Sequence, residues 1–436
     1  MNNSIWTNNT IPPSFEKMNG SIKTDVLIIG GGMAGILCAY MLKRAGVDYA
    51  LVTKGRICDG VTGCTTAKIT LQHGLIYNKI IEGAGYDKAR LYLEAQQSAM
   101  GEYSRLCEKI NCDYEIKDSY VYSLNNRDKI KKEAQALRRL GAEAELVDKT
   151  SLPFDVAGAL KVPNQAQLHP LKLLYEIAKD LNIYETTRVQ ELMDGKAITD
   201  RGEIKCKKII VATHFPILNK HGAYFLKMYQ HRSYVLALEN AKNVDGMYVD
   251  EDDKGMSFRN HGNLLLLGGG GHRTGKNGGN WRELEELASK SYPEAKIVAK
   301  WATQDCITLD KIPYIGRYSK STPNLFVATG FNKWGVTSSM VSAMLLADLV
   351  QGKSNKYEEL FSPSRSILRP QLALNAWESI IGLLTPTAPR CPHLGCALKY
   401  NRDEHSWDCP CHGSRFSESG EVLDNPATEN KKPLQS

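Results

Sequence analysis

An apolar, β-branched run, Asp25 to Ile29, leads without a break into Gly30-Gly31-Gly32-Met33-Ala34-Gly35 and then into a helical pattern ending near Gly46. Few folds accept that order. A short apolar run is the pattern of a buried parallel strand, and a second such run follows at Tyr49 to Val52. Strand, glycine turn, helix, strand is the context that lifts a G-x-G-x-x-G spacing above chance and marks a dinucleotide site. Gly30 permits the tight turn, Gly32 lets a pyrophosphate approach the backbone, and Gly35 lets helix and strand pack closely. Phosphates would sit at the helix N-terminus, where free N–H groups and the dipole favour anions. The acidic residue that usually ends the second strand and holds the ribose is missing. Thr53 stands there instead, a weaker partner than a carboxylate.

Two later segments return to the same sheet. Lys207 to Thr213 (KKIIVAT) and Asn324 to Gly330 (NLFVATG) read as buried strands, and the second leads through Phe331 to Gly335 into a helical pattern, Thr337 to Val350. At 436 residues the chain has room for two or three domains. Its apolar content of 42% and charged content of 24% are those of a globular protein. No stretch approaches the roughly 20 apolar residues of a membrane helix, and the N-terminus lacks the basic start and apolar run of a signal peptide. A cytoplasmic location is expected. The net charge of +7 is scattered. The densest basic run, Lys129 to Arg139, has helical spacing and reads as a solvated face, so no nucleic-acid partner is expected.

These segments, with GVTGCTTAKITLQHGLIY (Gly60 to Tyr77), WATQDCITLDKIPYIGR (Trp301 to Arg317) and LFVATGFNKWG, resemble in order the D-amino-acid-oxidase-like family of FAD-dependent oxidoreductases. The resemblance runs from about Ile22 to Lys353. It implies an α/β fold in which a Rossmann-like FAD domain is interleaved with an antiparallel substrate sheet roofing the flavin. The expected boundaries are 22–101, 168–219 and 313–355 for FAD binding, and 102–167 and 220–312 for the substrate domain. By the same resemblance Gly30, Gly32 and Gly35 hold the pyrophosphate. Thr62, Thr65, Thr66 and Lys68 run past it toward the ring, Gly330 and Gly335 flank the pyrimidine edge, and Thr53 faces the ribose. Cys64 sits in the ring-facing loop, either as a covalent flavin link or as a bystander thiol. The substrate sheet is read at Tyr120 to Leu124, Ser233 to Leu238, Gly255 to Arg259 and Asn263 to Leu267. Arg273 could take a substrate carboxylate bidentately or belong to an exposed turn. Lys333 and Trp334 would wall the pocket. No general base is evident.

Of 11 cysteines, seven are spread without spacing logic, and the other four, Cys391, Cys396, Cys409 and Cys411, fall within 21 residues. CPHLGC and CPCHGSRF together give C-x-H, a gap of 15 residues, then C-x-x-H. One cysteine and one histidine from each of two loops suits a [2Fe–2S] centre with two histidines on one iron. Two cysteines and two histidines also suit tetrahedral zinc. The motifs resemble the Rieske family closely. That resemblance implies Cys391, His393, Cys409 and His412 as cluster ligands and a Cys396–Cys411 disulfide pinning the loops. Gly413 and Ser414 would shape the second loop. The expected layout is a helical tether and linker at 356–387, with Pro363 to Leu383 helical, then a small β-type module at 388–436. The module looks truncated on its N-terminal side, with Glu421 to Leu423 as its one readable strand.

The order implies an enzyme that takes hydride from a small amine, amino acid or similar substrate at FAD. It would pass electrons through the cluster to an external carrier. Two other readings fit the same residues: an oxygen-using oxidase with a vestigial module, and a non-enzymatic redox sensor.

Overall fold

The computed structural model describes residues 4–8, 10–218, 221–252, 255–386 and 389–430. Residue 387 of the expected linker, and residues 388 and 431–436 at the two ends of the expected module, lie outside the described residues. Ile22–Ile29 occupies the middle of a sheet of 8 strands, parallel to Tyr49–Val52 on one side and Gly202–Val211 on the other. Leu325–Thr329 extends the parallel run and Tyr314–Arg317 closes that edge antiparallel. Leu27, Ile28, Leu51 and Val211 are fully buried, as strands covered on both faces require. Helices Met33–Arg44 and Gly335–Val350 pack against each other beside this sheet and are apolar nearly all round, the mark of core helices.

A second sheet of 9 strands lies against the first. Its order is Lys296–Thr308, Met228–Glu239, Leu264–Arg273, Ser257–His261, Met247–Asp250, Glu115–Ser123, Gly158–Gln167 and Lys68–Ile69, with Glu145–Val147 on the side. All of these pairs are antiparallel except Met247–Asp250 with Glu115–Ser123. Each roof strand read from sequence is present, and two are much longer than their apolar runs, because pairing carries the backbone on through polar residues such as Gln230 and His272.

The C-terminal module holds four strands where the sequence suggested one: Lys399–Asn401, Ser406–Asp408, Arg415–Ser417 and Val422–Asp424, all antiparallel. Each is too short to show a period of two, which is why three escaped notice. The tether is helical over Pro370–Leu384, with proline in its first turn where a missing N–H costs nothing. This helix fills the N-terminal side of the module. Ala397 N donates to Gly382 O at 2.9 Å, and Arg390 Nη1 donates to the carbonyls of Gly382, Leu383 and Gly395 at 3.2, 3.0 and 3.0 Å. One guanidinium thus satisfies the helix C-terminus and the first cysteine loop together.

Candidate functional site

A cavity of about 1130 Å³ opens between the two sheets. Gly30, Gly32, Thr53, Thr62, Thr65, Thr66, Lys68, Lys333, Trp334 and Gly335 all line it. Gly35 and Gly330 do not, and each acts one layer behind. A Cβ on Gly35 would lie 1.9 Å from Gly30 O, so that glycine sets helix–strand approach. Gly330 has φ +71, and its Cβ would lie 2.4 Å from Thr308 Cγ2. Thr62 Oγ1 accepts from Met33 N at 3.0 Å, tying the threonine loop to the start of the first helix.

That loop is held from three sides. Trp6 Nε1 donates to Thr65 O at 2.7 Å, Trp301 Nε1 to Cys64 O at 2.9 Å, and Arg259 Nη1 to Thr66 O and Ala67 O at 2.7 and 2.8 Å. Lys68 Nζ donates to Thr66 Oγ1 at 3.0 Å, and burial, with Arg259 nearby, pushes its pKa down to about 7. Burial pushes the Cys64 thiol up to about 11, which keeps it protonated at neutrality. Opposite, His73 and Trp334 stack at 4.9 Å. Asn332 and Lys333 both have positive φ, 53° and 73°, and Asn332 fixes the loop through Thr308 N at 2.8 Å and Gly330 O at 2.7 Å. Two successive left-handed non-glycine residues are strained backbone, of the kind found where a loop is shaped for a ligand.

The two cysteine loops are built alike. Cys391 N donates to Cys396 O and Gly395 N to Cys391 O; Cys409 N donates to Ser414 O and Gly413 N to Cys409 O, all at 2.8–2.9 Å. Gly395 and Gly413 both have positive φ, 78° and 86°, at the matching turn. The loops bring His393 and His412 to 5.1 Å, edge to face. Burial pushes these imidazoles down to about 4 and about 3, the neutral state a metal ligand needs. His412 Nδ1 is buried and makes no hydrogen bond. The sulfurs of Cys396, Cys409 and Cys411 converge within 4.8 Å of one another, and Cys391 is buried in the same small core.

Two expectations are corrected here. The expected Cys396–Cys411 disulfide is not supported: both are free thiols, and their sulfurs converge together with a third, that of Cys409, instead of pairing off alone. Arg273 neither lines the cavity nor lies in an exposed turn. It ends a roof strand, stacks on Tyr229 at 4.9 Å, and donates to Pro410 O, Cys411 O and Asn375 Oδ1 at 3.2, 3.1 and 3.0 Å. The docking of the module turns it away.

The module sits on the outer side of the cavity wall. Gln230 Nε2 donates to His412 O at 2.9 Å and to Asn425 O at 2.7 Å. Gln304 Nε2 donates to Gly413 O at 2.9 Å and to Gln230 Oε1 at 2.6 Å. The next residue, Asp305, lines the cavity, since successive strand residues face opposite sides. Val422 to Asn425, Ala427, Thr428 and Asn430 of the module line the same cavity. Gln230, Gln304, Asp305 and Arg415 went unassigned in the sequence. WATQDCITL and CPCHGSRF contained three of them, with nothing in either motif to say which side chains meet.

In comparisons with known families, residues 25–349 match the FAD dependent oxidoreductase model (DAO) and residues 371–435 the Rieske [2Fe-2S] domain model. The chain is 36% identical to the Rieske 2Fe-2S iron-sulfur protein YhfW of Bacillus subtilis, over 99% of this chain and 97% of that one. It is 25% identical to gamma-glutamylputrescine oxidoreductase of Escherichia coli, over 79% of this chain and 87% of that one. Glycine oxidase from Geobacillus kaustophilus shares the fold, with a TM-score of 0.67 at 20% identity, covering 79% of this chain and 99% of that structure.

Proposed function

This chain belongs to the FAD-dependent oxidoreductase family of the amine and amino-acid oxidase type and ends in a Rieske [2Fe-2S] domain, and from that premise we propose that it oxidises a small amine or amino-acid-type substrate and delivers the electrons through the module to an external carrier. When bound, FAD supplies a two-electron acceptor, and a histidine-ligated [2Fe–2S] cluster supplies a one-electron acceptor of raised potential.

The residues fit both groups. A Cβ on Gly30 would lie 2.5 Å from Ala212 O, so only glycine fits this turn beside the cavity. Gly30 and Gly32 offer backbone to a pyrophosphate, and Thr62, Thr65 and Thr66 offer hydroxyls along its path. The stacked His73 and Trp334 form part of the cavity wall. Lys68 Nζ can hold or release a proton near neutral pH. In the module, Cys391 and Cys409 would ligate one iron, and His393 and His412 the other. The unpartnered, buried Nδ1 of His412 is the donor such a centre takes.

One observation carries the proposal. The Gln230–Gln304 pair holds His412 and Gly413 against the outer face of the strands whose inner face walls the cavity. A vestigial tail gains nothing from so specific a seat. The test is iron and acid-labile sulfide per chain, followed by anaerobic reduction watched by flavin absorbance and EPR. Two irons per chain and a cluster that reduces as flavin reoxidises are expected. A loaded cluster that stays oxidised beside reduced flavin would sink the proposal.

A further inference from the structure

Cys107 and Cys112 stand close in the sequence, and the fold brings their sulfurs to 3.3 Å. Neither lines the cavity. Each sulfur is carried by a different helix. Cys107 is the last residue of helix Tyr86–Cys107, whose end is closed by Lys109 N and Ile110 N donating to Leu106 O at 3.1 and 3.0 Å. Cys112 is held from the other side, where its carbonyl accepts from His169 N at 2.8 Å at the start of helix Pro170–Ala178. Lys172 Nζ of that helix donates to the neighbouring Asp113 Oδ1 at 2.8 Å. The approach of the two sulfurs is therefore set by backbone on both sides.

The two thiols are unequal. Cys107 is half-buried, whereas Cys112 is 1% exposed. The bond to Cys107 draws the Cys112 thiol below its ordinary range; burial and Asp113 oppose this, and Lys172 assists it. A helix N-terminus and a nearby lysine are surroundings that favour a thiolate. Cys112 is thus the base of the pair, and Cys107 the sulfur that a reagent meets.

We propose that Cys107 and Cys112 form a reversible dithiol–disulfide site, separate from the flavin and cluster sites, that takes small-molecule disulfides as its oxidant. Cys107 Sγ attacks one sulfur of the reagent and passes its proton to Cys112, while the reagent's S–S bond breaks and one thiolate leaves. Cys112 Sγ then attacks Cys107 Sγ, breaking the mixed disulfide and releasing the second thiolate. Over both steps the pair loses two electrons and two protons, and the reagent becomes two thiols. The sulfurs close from 3.3 Å to the roughly 2.05 Å of a disulfide, a movement that the fraying last turn of a helix supplies. Tyr103, one turn earlier, donates to Val336 O at 2.8 Å, and Val336 lines the cavity. The site therefore lies one turn from a residue that holds the cavity wall.

The chain supplies its own readout. Trypsin cuts after Arg105, Lys109 and Lys117, so residues 106–109 and 110–117 separate when the pair is reduced and stay joined when it is oxidised. The FAD-loaded, full-length protein is equilibrated with reduced and oxidised glutathione at a series of ratios, quenched with N-ethylmaleimide, digested and weighed by mass spectrometry. The joined peptide should pass from the minor to the major form as the oxidised share grows, with one midpoint approached from either direction. Cys112→Ser should leave Cys107 carrying one glutathione; a folded variant without that adduct overturns the order of attack. Both peptides alkylated at every ratio, or a joined peptide that reduced glutathione does not reopen, overturns the site itself. So does a bond from either cysteine to a third. The wild-type series decides alone if the variant does not fold.

Discussion

Arg415 shows how a single side chain can hold a small module together. Its guanidinium donates to Asp408 at 3.0 Å, Asp424 at 2.9 Å, Glu404 at 2.8 Å and Ser406 at 2.9 Å. Arg232 of the roof sheet reaches the same Glu404, with Nε donating to Oε1 at 3.0 Å, and Tyr234 OH adds a bond at 2.9 Å. The network therefore spans the module and the flavin body. Burial pushes Glu404 and Asp424 upward, but the two arginines outweigh it and both carboxyls sit below their ordinary range. Removing one partner from a buried network leaves charges uncompensated, at a cost of about 3–5 kcal/mol. Arg415→Met should lower stability by that order, read by thermal unfolding of the module. Because both carboxyls are depressed, their contribution is whole above about pH 4 and is lost as pH falls through their folded values. The gap between wild type and Arg415→Met should therefore narrow below about pH 4. A gap that does not change with pH would assign the network no electrostatic role.

Among the elements, helix Pro370–Leu384 has the most specific demand. A Cβ on Gly382 would lie 2.3 Å from Cys411 Sγ, so the helix and second loop meet only because glycine is there. Gly382→Ala should lower iron per chain several-fold while FAD remains bound; full iron content would show that the loop can yield. Elements were unequally legible in the sequence. The glycine-turn strand and its parallel neighbours announce themselves because burial on both faces demands uninterrupted apolar runs. The roof strands showed only their apolar middles, and the polar ends that carry Gln230 and Arg273 were invisible. Spacing and likeness together marked the cysteine and histidine loops. They could not reveal that Arg273 would be diverted to Pro410 and Cys411, contacts more than a hundred residues apart, or that the tether helix would take the place of missing strands through bonds such as Ala397 N to Gly382 O.

At the scale of the molecule, cavity and module are one construction. Residues of Val422 to Asn430 wall the cavity, and Asn425 Nδ2 donates to Thr213 O at 3.1 Å. Truncation after Leu384 should therefore open the cavity and speed FAD release, measured by flavin fluorescence during dilution. Unchanged release would place the module outside the flavin site. No helix among the described residues is long and apolar enough to cross a membrane. The seat of the module on Gln230 and Gln304 also has a kinetic meaning. In the proposed transfer, the module's place against the cavity would be set by these side-chain bonds to the roof sheet and not by the reach of a tether. Were electrons to pass as proposed, a module seated this way would have no excursion to complete between turnovers, and the rate of that transfer should not change with the viscosity of the solvent.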